Sequence, residues 1–423
     1  RRQRQMCIRD SSHSHPEKVT RTFNHGHSSA RGHARILHTS DWQLGMERWF
    51  LKKDKNTAND DGGLDSQALY TQARFTVIKR MADIAHDRQC DAVVVAGDVF
   101  DSPQVGERIQ NRFIEAIERF TPIPIVFLPG NHDPYQIGSV WNSPFATRIQ
   151  EAGGIIISDN SIHHLGGIEV VGAPLTSNKP TEDTVSAALR NLEPSSGVRV
   201  LVGHGQPRRD WYESTAYADH AVDLDNVDHA LSTHKVDYIA MGDTHSVEEL
   251  DDHGGMWFSG SPEPTDLDDR ERDSGYCLVV DIDVADGTTT LTVDPVHVAE
   301  WSFHSDVREV TTDADIEQWF SDLNNMRDAS TTVVRSTLSG RISLEQDSRI
   351  EECRQRLASK FAAFYDHEGK TKLSIVPDSL DADAFNLHGY FRKVLDDLDP
   401  EDDTDREALR ILYQLNQKYQ ESE

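Results

Sequence analysis

From residue 35 to residue 299 the chain alternates short apolar runs with stretches in which apolar positions recur every three or four residues. The runs Ile36-Leu37, 92–96, 125–128, 198–202 and 238–241 are mostly continuous. Continuous runs suit strands covered on both faces, whereas a half-exposed strand alternates. Between the first two runs, Val77, Ile78, Met81, Ile84 and Ala85 share one side of a helix expected over 67–87. Runs at 256–258, 276–282 and 289–293 are separated by turn residues and read as further strands. The pattern predicts a layered α/β domain over 35–299.

Residues 300–376 read as a small α+β unit. Strands are expected near 307–310, at 331–338 and at 373–376, with helices over 315–323 and 344–364. After Pro377 the chain turns helical and acidic. A helix is expected over 390–395, and the run DDLDPEDDTD reads as a solvated linker. A last helix over 406–419 places Ala408, Ile411, Leu412, Leu415 and Tyr419 on one face, so this C-terminal helical segment (377–423) has a stripe to bury. Residues 1–34 are polar, rich in Arg, His and Ser, and lack the apolar stretch of a signal peptide. Their opening, RRQRQMCIRDSS, resembles translated adapter sequence, and the segment is expected to be a disordered tail. His13, His15, His25 and His27 could hold a metal loosely, but a flexible tail is the preferred reading.

Composition adds compartment and solvent. A chain of 423 residues with 37% hydrophobic content can bury a sizeable interior and favours two or three domains. No run of 18 apolar residues occurs, so no transmembrane helix is expected. Cys7, Cys90, Cys277 and Cys353 are scattered without a CxxC pair, which points away from a disulfide framework or thiolate zinc site and fits a reducing cytoplasm. The net charge is −29, with 47 Asp to 25 Glu and 12 Lys to 31 Arg. An Asp-rich, Lys-poor balance suggests a very salty cytoplasm, where the screening length shrinks to about 3 Å at 1 M and self-repulsion costs little.

The chemistry sits just after the buried runs. Asp41 follows Ile36-Leu37, Asp98 follows AVVVAG, and Asn131, His132 and Asp133 follow IVFLPG. His204 follows VLVG, and Asp243 and His245 follow YIAMG. Ligands of open α/β sheets bind outside the carboxyl ends of the strands, so these five segments are expected to converge. The set is carboxylate, amide and imidazole without thiolate, which favours Mn2+, Fe2+ or Zn2+. It holds more ligands than one ion needs; two ions about 3.5–4 Å apart, sharing a carboxylate, would use them all.

The segments DWQLG, GDVFD, GNHD, GHG and GDTH, in that order, resemble the calcineurin-like metallophosphoesterases. Within them LHTSDW, VVAGDVFD, GNHD and Gly260-Ser261-Pro262 look most like the SbcD-type DNA repair nucleases. The resemblance covers roughly Arg35 to Val296 and implies a metallophosphoesterase sandwich with a small capping domain. It implies one cation, most readily Mn2+, on Asp41, Gln43, Asp98 and His245, and a second on Asp98, Asn131, His204 and Asp243. His132 would face the phosphate, with Asp133 orienting its ring. Two departures stand out: Asp41-Trp42-Gln43 where such enzymes show DxH, and Gly242-Asp243-Thr244-His245 where they show GHxH. Gln43 is a neutral, weaker ligand, so the first cation is expected to bind more loosely.

Candidate substrate contacts have blander readings beside them. Trp42 could meet a base or pack, Ser261 could touch a phosphate or shape a turn, and Arg208-Arg209 could meet DNA or be solvated. Trp49, Phe50, Lys52, Lys53 and Lys55 combine rings and charge in a way that can stack on single strands. His163-His164 reads as part of a hairpin, and His38 as a packing residue. The resemblance implies DNA as substrate, an SbcC-like SMC-family ATPase as partner docked by the terminal helices, and a homodimer. A phosphodiesterase or phosphatase of a small ester, and a catalytically weak scaffold of a repair complex, stand as alternatives.

Overall fold

The structure is a computed structural model and describes residues 16–25, 31–52, 65–208, 221–267 and 271–375, with isolated positions between 398 and 411. The chain divides into two compact units. One comprises the described residues up to Met46 with Thr71–Glu300; the other comprises Glu47–Tyr70 and the described chain from Trp301. The stretch Glu47–Tyr70 thus leaves the continuous 35–299 span expected of the first domain.

The first unit contains a seven-stranded sheet in the order β1 (Val19–Asn24), β15 (Thr288–His297), β14 (Tyr276–Ala285), β2 (Gly32–Thr39), β3 (Ala92–Val95), β4 (Ile125–Phe127) and β5 (Gly154–Ile156). A six-stranded sheet runs β12 (Val247–Glu249), β13 (Met256–Ser259), β11 (Tyr238–Gly242), β8 (Val198–His204), β7 (Ile168–Gly172) and β6 (Ile162–Leu165). A short pair joins β9 (Gln206–Arg208) to β10 (Ala221–Asp223). The helices are α1 (Ser66–Asp87, which belongs to this unit from Thr71 onward), α2 (Glu107–Ile117), α3 (Pro144–Glu151), α4 (Thr184–Arg190) and α5 (Leu224–Ser232).

The continuous apolar runs are explained by two cores. Side chains alternate across a strand. Ile36, Val94 and Val126 join Val200, Val202, Ile239 and Met241 in the core between the sheets. Their neighbours Leu37, Val93, Val95 and Phe127 turn instead towards Phe75, Ile78, Met81, Phe113 and Phe145 of α1, α2 and α3. The runs Ile36-Leu37, 92–95 and 125–127 therefore need apolar residues throughout. Strands β2 to β5 run parallel, as do β7, β8, β11 and β13, so their carboxyl ends lie along common rims.

Two expectations are corrected. Val19–Asn24 belongs to the segment read as a disordered tail, yet it forms a strand antiparallel to β15. Its sequence VTRTFN alternates, Phe23 is buried, and Thr20 and Thr22 lie opposite Thr292 and Thr290. Such β-branched cross-strand pairs favour a strand. His13, His15 and His27 lie outside the described residues.

The second correction is in the other unit, which has four parallel-paired strands: β16 (Ser302–Glu309), β17 (Thr332–Ile342), β18 (Ala363–Asp366) and β19 (Lys372–Ile375). Helices α6 (Asp313–Asn324) and α7 (Leu344–Lys360) accompany them, and Ile316, Trp319, Leu323, Val334, Leu338, Ile350 and Leu357 form the core. The helix expected to reach residue 364 stops at Lys360, because Phe361 turns extended and Ala363–Asp366 pairs with β17. Phe50 stacks on Tyr365 at 5.3 Å and meets Phe303 at 5.7 Å, so it packs within its own unit. Lys53, Lys55 and most of 377–423 lie outside the described residues. No described helix is long and apolar enough to cross a membrane.

Phe127 lies at the centre of an aromatic cluster, 5.4 Å from Phe113, 5.9 Å from Trp42 and 6.0 Å from Trp141. Phe127→Ala is expected to cost about 3–5 kcal/mol of stability through lost burial and a residual cavity. Urea unfolding measures this, and a loss below about 1 kcal/mol would contradict the core assignment.

Candidate metal centre

The carboxyl ends of β2, β3 and β4 in one sheet, and of β8 and β11 in the other, carry the polar residues singled out above. Asp41 and Gln43 follow β2, Asp98 follows β3, Asn131 follows β4, His204 closes β8, and Asp243 and His245 follow β11. Four of these are non-glycine residues with positive φ: Asp41 at 53°, Gln43 at 48°, Asp98 at 52° and Asp243 at 110°. Such backbone persists where surrounding contacts over-determine it, and it gathers at functional sites. The contacts are visible: Asp41 N donates to Gly97 O, and Gln43 N to Asp98 O, both at 3.0 Å.

The side chains converge. His204 Nε2 lies 2.7 Å from Asn131 Oδ1 and 3.6 Å from both Asp98 Oδ1 and Asp243 Oδ1. Gln43 Nε2 donates to Asp98 Oδ2 at 3.2 Å, and His245 Nε2 lies 3.9 Å from Asp41 Oδ1. Ligand atoms of Asp41, Asp98 and His204 all fall within 4.8 Å of one another. All seven expected metal ligands thus meet at one rim.

Protons report the negative potential there. Burial disfavours charge on His204, but Asp98, Asp243 and Asp41 outweigh it and push its pKa up to about 9. Both its ring nitrogens face oxygens, Ala96 O at 2.8 Å and Asn131 Oδ1, as a doubly protonated ring requires. Burial likewise opposes charge on His245, yet the hydrogen bond to Glu271 and the charge of Asp41 raise it to about 9. Burial raises Asp41 to about 6, with His245 and His204 pulling the other way.

The residues fit a cation. Asp41 Oδ1 and Gln43 Oε1 are buried acceptors with no hydrogen-bond partner. An unsatisfied buried polar atom costs about 1–3 kcal/mol, and two in one cluster are what a bound cation would relieve.

Other expected roles change. Asp133 does not orient the His132 ring. Its buried carboxylate accepts Gly130 N at 2.8 Å and Phe100 N at 3.0 Å, fixing the loop backbone, and burial, reinforced by the charge of Asp98, holds its pKa well above the usual range. The His132 ring instead places Nδ1 3.2 Å from Asp101 O. Trp42 is 1% exposed, donates to Thr39 Oγ1 and packs on Phe113 and Phe127, so it meets no base. Ser261 is fully buried, its Oγ 2.8 Å from Asp41 O and 2.7 Å from Glu263 O, so it ties site loops together rather than touching a phosphate. Arg208 is half-buried in β9, and Arg209 lies outside the described residues. His163-His164 lies in the β6–β7 hairpin, and His38 is buried against Tyr238 and the Met241 carbonyl.

Three site residues carry no sequence signal of the kind used above. Glu271 accepts from His245 Nδ1 at 3.0 Å, and Thr265 Oγ1 lies 2.6 Å from the same nitrogen. A carboxylate on the far nitrogen orients a ligating imidazole. The amide of Gln206 bonds Asp243 and lies 3.0 Å from Thr244 Oγ1. Gln206 stands two residues past His204, close enough for a motif to have marked it; Glu271 sits 26 residues beyond His245 with no local pattern around it.

Similarity to known proteins covers the segment that carries the seven expected metal ligands. The family model described as calcineurin-like phosphoesterase matches residues 34–247. The chain is 35% identical over 102 residues to the SbcD component of the SbcCD nuclease of Escherichia coli, covering 23% of this chain and 21% of that protein. It is 26% identical over 301 residues to the corresponding SbcCD component of Rhodobacter capsulatus, covering 60% and 67%. It is 26% identical over 248 residues to "DNA double-strand break repair protein Mre11" of Methanosarcina acetivorans, covering 56% and 35%. The chain thus spans only about a fifth of the length of the first of these curated relatives.

A ligating histidine must shed its proton, so cation binding here competes with protonation. Without metal, His204 and His245 rise from 6.5 to about 9, so their stabilising protonation is full below about 6.5 and is lost as pH rises through about 9. The rise in unfolding temperature conferred by Mn2+ is therefore expected to grow between pH 6 and pH 9. Thermal unfolding with Mn2+ or with chelator measures it; a pH-independent gain would contradict the assignment of these histidines as ligands.

Proposed function

Because the chain belongs to the calcineurin-like phosphoesterase family, we propose that it is the metal-dependent DNA exonuclease and endonuclease component of a double-strand-break repair complex, hydrolysing phosphodiester bonds. The observation that carries the reading is the meeting of Asp41, Asp98 and His204 beside two unpaired buried acceptors. The names of the relatives from Escherichia coli, Rhodobacter capsulatus and Methanosarcina acetivorans support the substrate class.

One cation would be held by Asp41, Gln43, Asp98 and His245, and another by Asp98, Asn131, His204 and Asp243, with Mn2+ the preferred ion. Bound there, such ions lower the pKa of water and offset the charge on phosphoryl oxygens. The chain's own residues supply the rest. His132 is half-exposed and hydrogen-bonded through Nδ1 to Asp101 O, and its Nε2, 3.9 Å from Asp98 Oδ2, would face a phosphate or give a proton to the departing oxygen. Glu271 and Thr265 hold His245 with Nε2 towards Asp41.

DNA affinity draws on counterion release by cations of the protein, and this chain carries −29. A partner that brings DNA to the rim resolves the conflict. The SbcCD names support an SbcC-like partner in that role; that this partner is an SMC-family ATPase, that the chain dimerises and that 377–423 is the docking segment are implied by the family resemblance alone. Hydrolysis of a small phosphate ester is the second reading, and Gln43, a neutral residue in a ligand position, keeps a weakly active scaffold as the third.

End-labelled duplex and a chromogenic phosphodiester, each with Mn2+ in molar KCl, separate the three. Cleavage of the duplex in preference to the small ester is expected, and the reverse preference would overturn the DNA assignment. His132→Gln should lower cleavage about 10²–10⁴-fold while Mn2+ binding persists. Gln43→His should tighten Mn2+ binding and raise cleavage; unchanged activity would place the limiting step elsewhere.

A further inference from the structure

A second cluster lies at the opposite ends of the strands. His25 directly follows β1, His234 and Asp237 precede β11, and Thr289 lies in β15. The rim described above follows β11, so Tyr238–Gly242 separates the two sites. The side chains of His25 and Asp237 are fully buried and that of His234 is 2% exposed.

We propose that His25, His234 and Asp237 form a structural site for one divalent cation of the Zn2+ class, pinning the edge strand β1 to the turn between α5 and β11. One ligand atom from each residue falls within 4.8 Å of the others. His234 Nε2 is 3.0 Å and His25 Nε2 3.8 Å from Asp237 Oδ1. In a tetrahedral site with bonds of roughly 2.0–2.2 Å, ligand atoms stand about 3.4 Å apart, so these two spacings bracket the required edge. Two imidazoles and a carboxylate form a borderline set that suits Zn2+ better than Mg2+ or Ca2+.

The outer contacts point the lone pairs inward. His25 Nδ1 lies 2.8 Å from Leu231 O, a carbonyl that can only accept, so Nδ1 carries the proton of a neutral ring and Nε2 is left bare towards the cluster. Asp237 Oδ2 accepts Arg199 N at 2.9 Å, which turns Oδ1 to the same point. Ligating residues are oriented in this way by backbone partners. The Thr289 hydroxyl donates to Asp237 Oδ1 at 2.7 Å and lies 2.6 Å from His25 Nε2. Its single proton cannot serve both, so a neutral His25 leaves one contact lone pair against lone pair. A cation removes that conflict and takes the hydroxyl, or a water, as its fourth ligand.

The site gives β1 a reason to stay. An edge strand is held from one side only. Here backbone bonding to β15 is continued by His25 N donating to Gly287 O at 2.7 Å, and the cation would add a tie to the neighbouring sheet.

The test is zinc stoichiometry of the full chain after dialysis against buffered Zn2+. His25→Gln is expected to retain one equivalent fewer than the unaltered chain, and an unchanged count overturns the proposal. Should His25→Gln fail to fold, the Asp98→Asn, His204→Gln double variant replaces it, since it disables the other rim. One retained equivalent, with a Zn2+-dependent rise in unfolding temperature, supports the proposal; a folded double variant that retains none overturns it.

Discussion

The carboxylate of Asp98 accepts the backbone N–H of His132 at 2.9 Å and the side-chain amide of Gln43 at 3.2 Å, while His204 Nε2 stands 3.6 Å away. It is 2% exposed. A buried charge is tolerated only when paired and hydrogen-bonded, so everything around it is arranged to meet that requirement. The glycines of the two motifs have a physical role here. A Cβ on Gly130 would sit 2.2 Å from Asp98 Oδ1 and 2.4 Å from its backbone nitrogen. A Cβ on Gly97, whose φ is +89°, would sit 2.1 Å from His204 Nδ1. The loops approach as closely as they do because nothing stands between them.

The layered fold and the rim were legible because both depend on local pattern. Continuous runs such as AVVV demand two covered faces, and motif residues at the carboxyl ends of parallel strands have one place to go. What was not legible depends on tertiary partners. Val19–Asn24 alternates correctly, but only the presence of β15 makes it a strand rather than a tail. Asp133 sits beside His132 in sequence, yet its carboxylate turns away to clamp Gly130 and Phe100, because the backbone donors of the loop lie on that side. Trp42 and Ser261 stand among ligands and are buried by packing that no short motif encodes.

The histidines show how one side chain takes its role from its second nitrogen. His38, His204 and His245 lie within neighbouring strands and their loops. Burial against Tyr238 and a carbonyl, with no carboxylate among the described residues raising it, lowers His38 to about 3 and keeps it neutral. His204 and His245 face carboxylates and are raised to about 9. Proximity to anions, more than depth, separates a packing histidine from a ligand.

The bond from His204 Nδ1 to Ala96 O at 2.8 Å crosses from the end of β8 to the end of β3. Its ring is therefore a rivet between the two sheets as well as part of the rim. Sliding one layer against the other would shear this rivet and scatter the acidic cluster in the same motion. Mechanical integrity of the sandwich and ion occupancy become one variable, so a blow to the interior far from the rim would register as lost affinity for metal.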